Sequence, residues 1–308
     1  MELVEGEHHG FGEATTNEYY GFTLENMRSA IESVREPLET LTWKEPTELW
    51  RRMASLLPDN PFALCALDQA AHDLWGKRNH APVHRLWNLD TSRVPLSNFT
   101  IGIHSIDVMV DKLNEMPDWP IYKIKLGTAN DMEIVRSLRK HTEAVFRVDA
   151  NCGWSVEETL RNAGPLQELG VEFIEQPLPA DAWQDYERLY NDCELPIIAD
   201  ESCMVEGDVA KCHGYFHGIN IKLVKCGGLT PARRMIQQAR ELGLRVMVGC
   251  MTESSVGISA IAQLLPMLDY VDMDGAVLLD RDIANGVRVV QGRCEYPAVN
   301  GTGVTLID

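Results

Sequence analysis

The stretch Tyr122-Lys123-Ile124-Lys125-Leu126-Gly127 decides how the rest of the chain is interpreted. Side chains two positions apart on a β-strand point to the same side, so Lys123 and Lys125 project together. Two neighbouring ammonium groups repel each other, which lowers the pKa of at least one of them. A lysine needs such a shift to act as a base near neutral pH. Taken alone, however, this pattern is more often a strand end with two solvated lysines.

The composition is that of an ordinary soluble globular protein, with 45% hydrophobic and 24% charged residues. The net charge of −18 argues against nucleic acid and anionic membrane surfaces as partners. The eight cysteines contain no Cys-x-x-Cys pair, which favours reduced thiols and a cytoplasmic location. No signal peptide is visible, and no apolar run approaches the roughly 20 residues that span a bilayer.

The pattern of apolar residues along the chain changes near residue 95. Before it, the spacing of apolar residues predicts a strand over 1–12 and helices over 24–41, 46–57 and 61–77. After it, short apolar strands alternate with amphipathic helices in units of about 25 residues, which favours an α/β barrel over a doubly wound sheet. The predicted strands are 96–101, 121–126, 145–149, 173–175, 197–200, 219–223, 245–248 and 270–272.

Polar residues follow the predicted strands, at the end of a barrel where active sites lie. Three consecutive strands each end in a carboxylate, namely Asp149, Glu175 and Asp200. Each alone could be a helix N-cap, but three converging anions require a counter-ion, and an all-oxygen site suits Mg²⁺. Lys125 on strand two and Lys222 on strand six would flank the ion from opposite sides. A Schiff-base aldolase would also use a barrel lysine, but it would not need three metal carboxylates.

Five motifs follow one another along the chain, and they are Lys123-Ile-Lys125, Asp149-Ala-Asn151, Ile174-Glu175-Gln176-Pro177, Ala199-Asp200-Glu201-Ser202 and Asn220-Ile-Lys222-Leu-Val-Lys225-Cys-Gly-Gly228. In their order and spacing they resemble the enolase superfamily and, within it, the muconate-lactonizing subgroup. Gly12-Glu13-Ala14 and residues 66–77 resemble the capping domain of that family. The resemblance implies a (β/α)7β TIM-like barrel over 95–286, with an α+β capping domain built from 1–94 and the C-terminal segment 287–308.

Strand eight discriminates between the reactions of this subgroup, which include cycloisomerase, o-succinylbenzoate synthase and dipeptide epimerase. Asp272-Met273-Asp274 resembles the Asp-x-Asp motif with which dipeptide epimerases hold the α-ammonium of the substrate. Two carboxylates on one face opposite the metal favour a cation there, and a surface acidic turn is the alternative. The segment 250–254 also resembles strand seven of the epimerases, so Cys250, Met251 and Thr252 are expected to position the dipeptide.

The resemblance implies epimerisation of a dipeptide at the α-carbon of its C-terminal residue, with one Mg²⁺ per subunit. Lys125 and Lys222 would be the two bases. Lys123 would lower the pKa of Lys125 and touch the substrate carboxylate. Ala-Glu, as in peptidoglycan recycling, is the expected substrate, and a homo-oligomer is the expected assembly.

Three further residues receive weaker assignments. Asn151 would position a metal ligand or a water molecule, and Glu201 would pair with Lys222 or Lys225. Lys225 lies three residues after Lys222, so on a regular strand it would face away from the site, and it is left out of the catalytic pair.

The alternatives are a one-base reaction on the same scaffold, such as cycloisomerisation or dehydration, and a catalytically silent barrel that binds Mg²⁺. Members of the family usually carry further strands and a mobile loop before the segment that matches 2–14. We therefore expect either a truncated sequence or a site closed by another segment, such as 15–21 with its Tyr19 and Tyr20.

Overall fold

The computed structural model describes residues 1–307, and it begins with a hairpin and five helices. The antiparallel strands are β1 (Glu2–Glu5) and β2 (His8–Phe11). The helices are α1 (Leu24–Ser33), α2 (Arg35–Thr40), α3 (Pro46–Ala54), α4 (Pro61–Arg78) and α5 (Val83–Leu86). No helix among the described residues is both long and apolar enough to cross a membrane.

Two elements of this front section differ from the sequence-based prediction. The single strand over 1–12 is a hairpin, because Gly6, at φ +59°, turns the chain between β1 and β2. The helix over 24–41 is two helices that meet at Val34. Pro37 explains the break, because it has no N–H to donate to the carbonyl of Ser33 and its ring clashes with that carbonyl in a continuous helix.

Eight parallel strands form the barrel, and each pairs with the next one along the chain. They are β3 (Phe99–Ile101), β4 (Ile121–Lys125), β5 (Val145–Asp149), β6 (Val171–Glu175), β7 (Ile197–Ala199), β8 (Gly218–Lys222), β9 (Arg245–Gly249) and β10 (Tyr270–Asp272). A parallel bridge between Ser97 and Val271 joins the two ends of the sheet. The predicted barrel is therefore confirmed, although its first strand begins at Phe99 rather than at residue 96.

Helices surround the barrel, and short strands end the chain. The helices are α6 (Ile106–Glu115), α7 (Asp131–Arg139), α8 (Val156–Glu168), α9 (Trp183–Asp192), α10 (Glu206–Cys212), α11 (Leu223–Cys226), α12 (Leu229–Glu241) and α13 (Ser255–Ala262). Two 3₁₀ turns, Leu265–Met267 and Gly275–Leu278, flank β10. The last strands are β11 (Ala284–Asn285), β12 (Arg288–Val290), β13 (Arg293–Glu295) and β14 (Thr305–Leu306).

The C-terminal segment contacts both earlier sections. A parallel bridge links Gly301 to Pro82, beside α5. The N–H of Ser97, just before the barrel, donates to the carbonyl of Gly292 at 2.8 Å. The boundaries at residues 94 and 286 stay predictions.

Helix α4 connects the three sections through buried polar side chains. Asp68 accepts hydrogen bonds from the backbone N–H and the hydroxyl of Thr230, at the start of α12, both at 2.7 Å. Asp73 accepts from the backbone N–H of Phe11 at 2.9 Å and from that of Thr302 at 2.8 Å. Because each buried carboxylate is satisfied by a different part of the chain, α4 fixes how the hairpin, the barrel and the C-terminal segment meet.

The hairpin reaches α4 so closely that only glycine fits at residue 12. A Cβ atom there would lie 2.0 Å from the carbonyl oxygen of Ala66 and 2.6 Å from the backbone nitrogen of Ala70. This contact explains the glycine of the Gly-Glu-Ala motif, and it sets the position of the neighbouring Glu13.

We predict that Gly12→Ala lowers the free energy of unfolding by about 3 kcal/mol, because the added methyl group must displace the backbone of α4. Urea denaturation measures this change. Gly207→Ala is the matched control, since a Cβ at residue 207 meets nothing within 4 Å. It lies in α10, where alanine is favoured over glycine by about 0.5–1 kcal/mol. Equal effects of the two substitutions would contradict the packing argument.

Candidate active site

Three carboxylates meet at the C-terminal ends of adjacent barrel strands. Asp149 ends β5, Glu175 ends β6, and Asp200 follows β7 directly. All three are fully buried, and each offers one oxygen such that these atoms lie within 4.8 Å of one another. The register explains the convergence, because Asp149 pairs with Glu175 across β5 and β6.

This triad has the properties of a site for a divalent cation. Its donors are all oxygen atoms, which is the preference of Mg²⁺. Glu175 Oε2 is buried and accepts no hydrogen bond from the described residues, although Lys123 Nζ lies 2.8 Å away. Burial and the nearby Asp149 raise the pKa of Glu175, so a further cation beside this carboxylate would stabilise its charged form. The residues present therefore fit a magnesium ion.

Two lysines face the triad from opposite sides of the barrel. Lys125 on β4 places its Nζ 2.7 Å from Asp149 Oδ2, and Lys222 on β8 places its Nζ 2.7 Å from Asp200 Oδ2. Burial raises the pKa of Asp149, but Lys125 and Lys123 more than offset this and hold it below its usual range. Because β4 and β8 are four strands apart in a barrel of eight, the space between the two ammonium groups is bounded by the triad.

Lys123 lies deeper than Lys125, among carboxylates. Its Nζ is 2.8 Å from Glu175 Oε2, 3.0 Å from Asp272 Oδ2 and 3.1 Å from Asp149 Oδ2. Burial lowers the pKa of Lys123, but these carboxylates more than offset it and raise the pKa well above its ordinary value. The positive charge of Lys123 is thus matched locally, and its effect on the pKa of Lys125 stays a prediction.

The expectation that Lys225 faces away from the site was wrong. Strand β8 ends at Lys222, and the short helix α11 turns Lys225 back inward. Its fully buried Nζ donates to Asp200 Oδ1 at 2.6 Å and to the carbonyl of Asp200 at 2.7 Å. Asp200 is therefore held by two lysines, one on each carboxylate oxygen. The alternation of a strand could not predict this, because the strand stops before Lys225.

Asn220 belongs to a motif quoted from the sequence, but the sequence alone assigned it no role. Its Nδ2 donates to Glu175 Oε1 at 2.8 Å, so it fixes one oxygen of the triad. The signal was available, because Asn220 lies two residues before Lys222 on the same strand and must share its face.

Asp272 and Asp274, the carboxylates at the end of the eighth barrel strand (β10), are both buried at the mouth of the barrel. Asp272 accepts from Lys123 and, at 2.8 Å, from Asn98 Nδ2. Asp274 Oδ2 accepts from the backbone N–H of Thr100 at 2.6 Å. Burial and the charge of Asp272 raise the pKa of Asp274 to about 8. A cation placed beside the pair would relieve this repulsion, so this region is suited to an ammonium group.

The loop after β9 lies beside Asp272 and Asp274, and residues of the front section hold it in place. Cys250 Sγ lies 3.9 Å from Asp274 Oδ1, whereas Thr252 is exposed. Met251 Sδ accepts a weak hydrogen bond from Asn17 Nδ2 at 3.7 Å.

Glu13, next to Gly12, anchors the end of this loop and the start of α13. Its carboxylate accepts from the backbone N–H of Ser254 at 3.0 Å and from that of Gly257 at 3.1 Å, and also from the Ser254 hydroxyl. The hairpin thereby determines where the loop after β9 lies.

Asn151 and Glu201 differ in how they contact the triad and its lysines. Asn151 is exposed, and it contacts the triad through its backbone N–H, which donates to Asp149 Oδ1 at 3.0 Å. Glu201 pairs with neither Lys222 nor Lys225, because Asp200 engages both lysines. Among the residues described, Glu201 Oε2 is buried without a partner, and burial together with Asp200 raises the pKa of Glu201 to about 7.

The tyrosines of the segment 15–21 lie near the rim. Tyr20 packs on Phe62, with ring centroids 6.0 Å apart, and burial followed by the charge of Asp200 raises its pKa. Tyr19 is exposed and packs edge-on against Tyr20, with ring centroids 4.9 Å apart. The segment is thus close enough to the triad for the charge of Asp200 to contribute to the raised pKa values of both tyrosines.

Comparison with known proteins agrees with this geometry. The enolase C-terminal domain-like family matches residues 109–308. The L-Ala-D/L-amino acid epimerase of Flavobacterium johnsoniae is 56% identical over 307 residues, which cover 100% of this chain and 91% of that protein. The L-Ala-D/L-Glu epimerase of Bacteroides thetaiotaomicron is 40% identical over 97% of this chain and 78% of that protein.

A solved structure is similar over nearly the same length. The dipeptide epimerase from Methylococcus capsulatus, complexed with Mg and the dipeptide L-Arg-D-Lys, has a TM-score of 0.87 at 32% identity, covering 96% of this chain and 88% of that one. Together with these relatives, the fold and the carboxylates at the C-terminal ends of the strands define a class of protein. The class is that of barrel enzymes with metal-binding carboxylates at their strand ends. Within that class, the chain belongs to the enolase superfamily and to its dipeptide epimerases, which are isomerases acting on amino acid derivatives.

We predict that Lys225→Met lowers the free energy of unfolding by about 3–5 kcal/mol, because it removes a cation from the fully buried Asp200. Lys211→Met is the matched control. Lys211 forms an exposed ion pair with Asp208, and the loss of such a pair costs roughly 0–1 kcal/mol. Urea denaturation compares the two variants. A loss in Lys225→Met no larger than that in the control would show that Asp200 does not depend on Lys225.

Proposed function

We propose that the chain epimerises dipeptides at the α-carbon of the C-terminal residue by moving a proton between Lys125 and Lys222. The observation that carries this proposal is the placement of the two lysines on opposite sides of one carboxylate triad, each 2.7 Å from a triad oxygen. A planar intermediate held between them would be accessible from both faces. A base on each face is what inversion of a carbon centre in both directions requires.

Asp149, Glu175 and Asp200 would hold one Mg²⁺ per subunit. The bound ion would neutralise the second negative charge that develops on the substrate carboxylate when the α-proton leaves. Lys123, buried between Glu175 and Asp272, would contribute a fixed positive charge to the same carboxylate.

Lys222 must be released from Asp200 before it acts as a base. Burial lowers the pKa of Lys222, but the 2.7 Å contact with Asp200 more than offsets this and keeps the lysine protonated. Lys225 holds the other oxygen of Asp200, so the carboxylate stays in place while Lys222 turns to the substrate. We assign Lys225 this positioning role and leave proton transfer to Lys125 and Lys222.

The other end of the dipeptide would lie between β9 and β10. Asp272 and Asp274 would bind its α-ammonium, and Cys250, Met251 and Thr252 would position its backbone. We propose L-Ala dipeptides as the substrate class, because the relatives from Flavobacterium johnsoniae and Bacteroides thetaiotaomicron carry that specificity in their names. Ala-Glu, in the recycling of peptidoglycan, is the first member to test. Assembly as a homo-oligomer and a cytoplasmic location stay predictions.

We predict that the wild-type enzyme with Mg²⁺ in D₂O places deuterium at the α-carbon of the second residue of L-Ala-L-Glu and forms both epimers. Lys125→Ala and Lys222→Ala should each lower the rate of epimerisation by roughly 10²–10⁴-fold, because each removes one of the two bases. Each variant should retain slow exchange without inversion, in opposite epimers. NMR and chiral chromatography measure the two processes.

The same experiment separates the alternatives. A one-base reaction predicts that only one of the two lysines is needed for exchange. A barrel without catalytic activity predicts no deuterium exchange at the α-carbon of any dipeptide in an L-Ala-X library, although Mg²⁺ still binds. That result would contradict the proposal.

We also predict that Asp274→Asn raises KM for L-Ala-L-Glu by about ten-fold or more with a smaller change in kcat, because it weakens a charged contact to the α-ammonium. N-acetyl-L-Ala-L-Glu lacks that charge, so its kinetics should change little. Asp280→Asn, at an exposed acid, is the control. Equal losses with both substrates would show that Asp274 does not recognise the ammonium group.

A further inference from the structure

A cleft of about 960 Å³ opens on the outside of the barrel, between α3 of the front section and α12. Four arginines line this arginine cleft, and they are Arg51, Arg233, Arg234 and Arg240. No aspartate or glutamate is among its lining residues in the described part of the chain. In a protein with a net charge of −18, such a concentration of positive charge is unusual.

Two of the guanidinium groups lie over indole rings. Arg233 lies 4.2 Å from the centre of the Trp87 ring, and Arg234 lies 4.6 Å from that of Trp50. A cation–π contact of this kind restricts where the guanidinium group can lie. Two of the four cations of the cleft are therefore positioned by aromatic contacts.

The positive charge of the arginine cleft is only partly compensated. Arg234 forms an ion pair with Glu206 at 2.8 Å, and Arg240 forms one with Asp269 at 2.7 Å. Neither Arg51 nor Arg233 forms an ion pair with any residue from 1 to 307.

Arg233 is the least satisfied of the four arginines. Its Nε is buried and has no hydrogen-bond acceptor among the described residues. Burial lowers the pKa of Arg233, and the charge of Glu45 offsets only part of this effect. A buried donor without a partner is costly, so a hydrogen-bond acceptor that reaches Arg233 would be stabilising.

We propose that the arginine cleft binds a small multivalent oxyanion of the phosphate class, at a site separate from the catalytic centre. The forked guanidinium groups match the several acceptor oxygens of such an anion. The four arginines come from α3 and α12, so the bound anion ties the front section to the outside of the barrel.

The test is isothermal titration of the Mg²⁺-loaded protein with inorganic phosphate, with ionic strength held constant by NaCl. We expect saturable binding at one site per chain and a thermal midpoint that rises with phosphate. Arg233→Met should weaken the affinity by about ten-fold or more, because it removes a charged hydrogen-bond donor. Arg51→Gln should also weaken the affinity for phosphate. Because Arg51 is exposed on α3, this substitution should disturb folding less than Arg233→Met does.

Arg188→Met is the matched control, because Arg188 lies on α9 and pairs with the exposed Glu157. It should leave the affinity for phosphate unchanged. Absence of saturable binding, or equal affinity in the wild type and both cleft variants, would overturn the proposal. Dissociation of an oligomer by the cleft variants at unchanged phosphate affinity would assign the cleft to a protein–protein contact and would also overturn it.

Discussion

Charge balance in one buried volume at the rim of the barrel constrains the rest of the structure. Six ion pairs in that volume join four carboxylates to four lysines, and these residues are Asp149, Glu175, Asp200, Asp272, Lys123, Lys125, Lys222 and Lys225. A buried charge without a partner is strongly destabilising. Because these residues lie on or directly after β4 to β8 and on β10, the ion pairs form only when the barrel is closed and these strands are in register.

The contacts of Asp200 divide structural and chemical roles between two lysines. Lys225 is fully buried and also donates to backbone carbonyls, including that of Cys203 at 3.2 Å, so it has several reasons to stay where it is. Lys222 holds Asp200 by a single contact and lies nearer the opening of the site. Lys222 can therefore leave Asp200 while Lys225 keeps the carboxylate in place. This arrangement suits a site in which the proposed base must move and the proposed metal ligand must not.

Much of this arrangement could be predicted from the sequence, because strand periodicity and the ends of apolar runs are local signals. The triad and the pair of Lys125 and Lys222 follow from them. The position of Lys225 could not be predicted in this way, since it depends on where β8 stops and on the helical turn α11. The failure of Glu201 to pair is likewise a tertiary effect, because Asp200 competes for both lysines.

The bond from Glu13 to Ser254 spans 241 residues of chain, and that from Asp73 to Thr302 spans 229. During synthesis, the hairpin and α4 therefore leave the ribosome long before their partners exist. Contacts of such sequence separation slow folding and prolong the exposure of apolar surface. The buried helix α4 thus stays without part of its polar partners until nearly the whole chain has been synthesised.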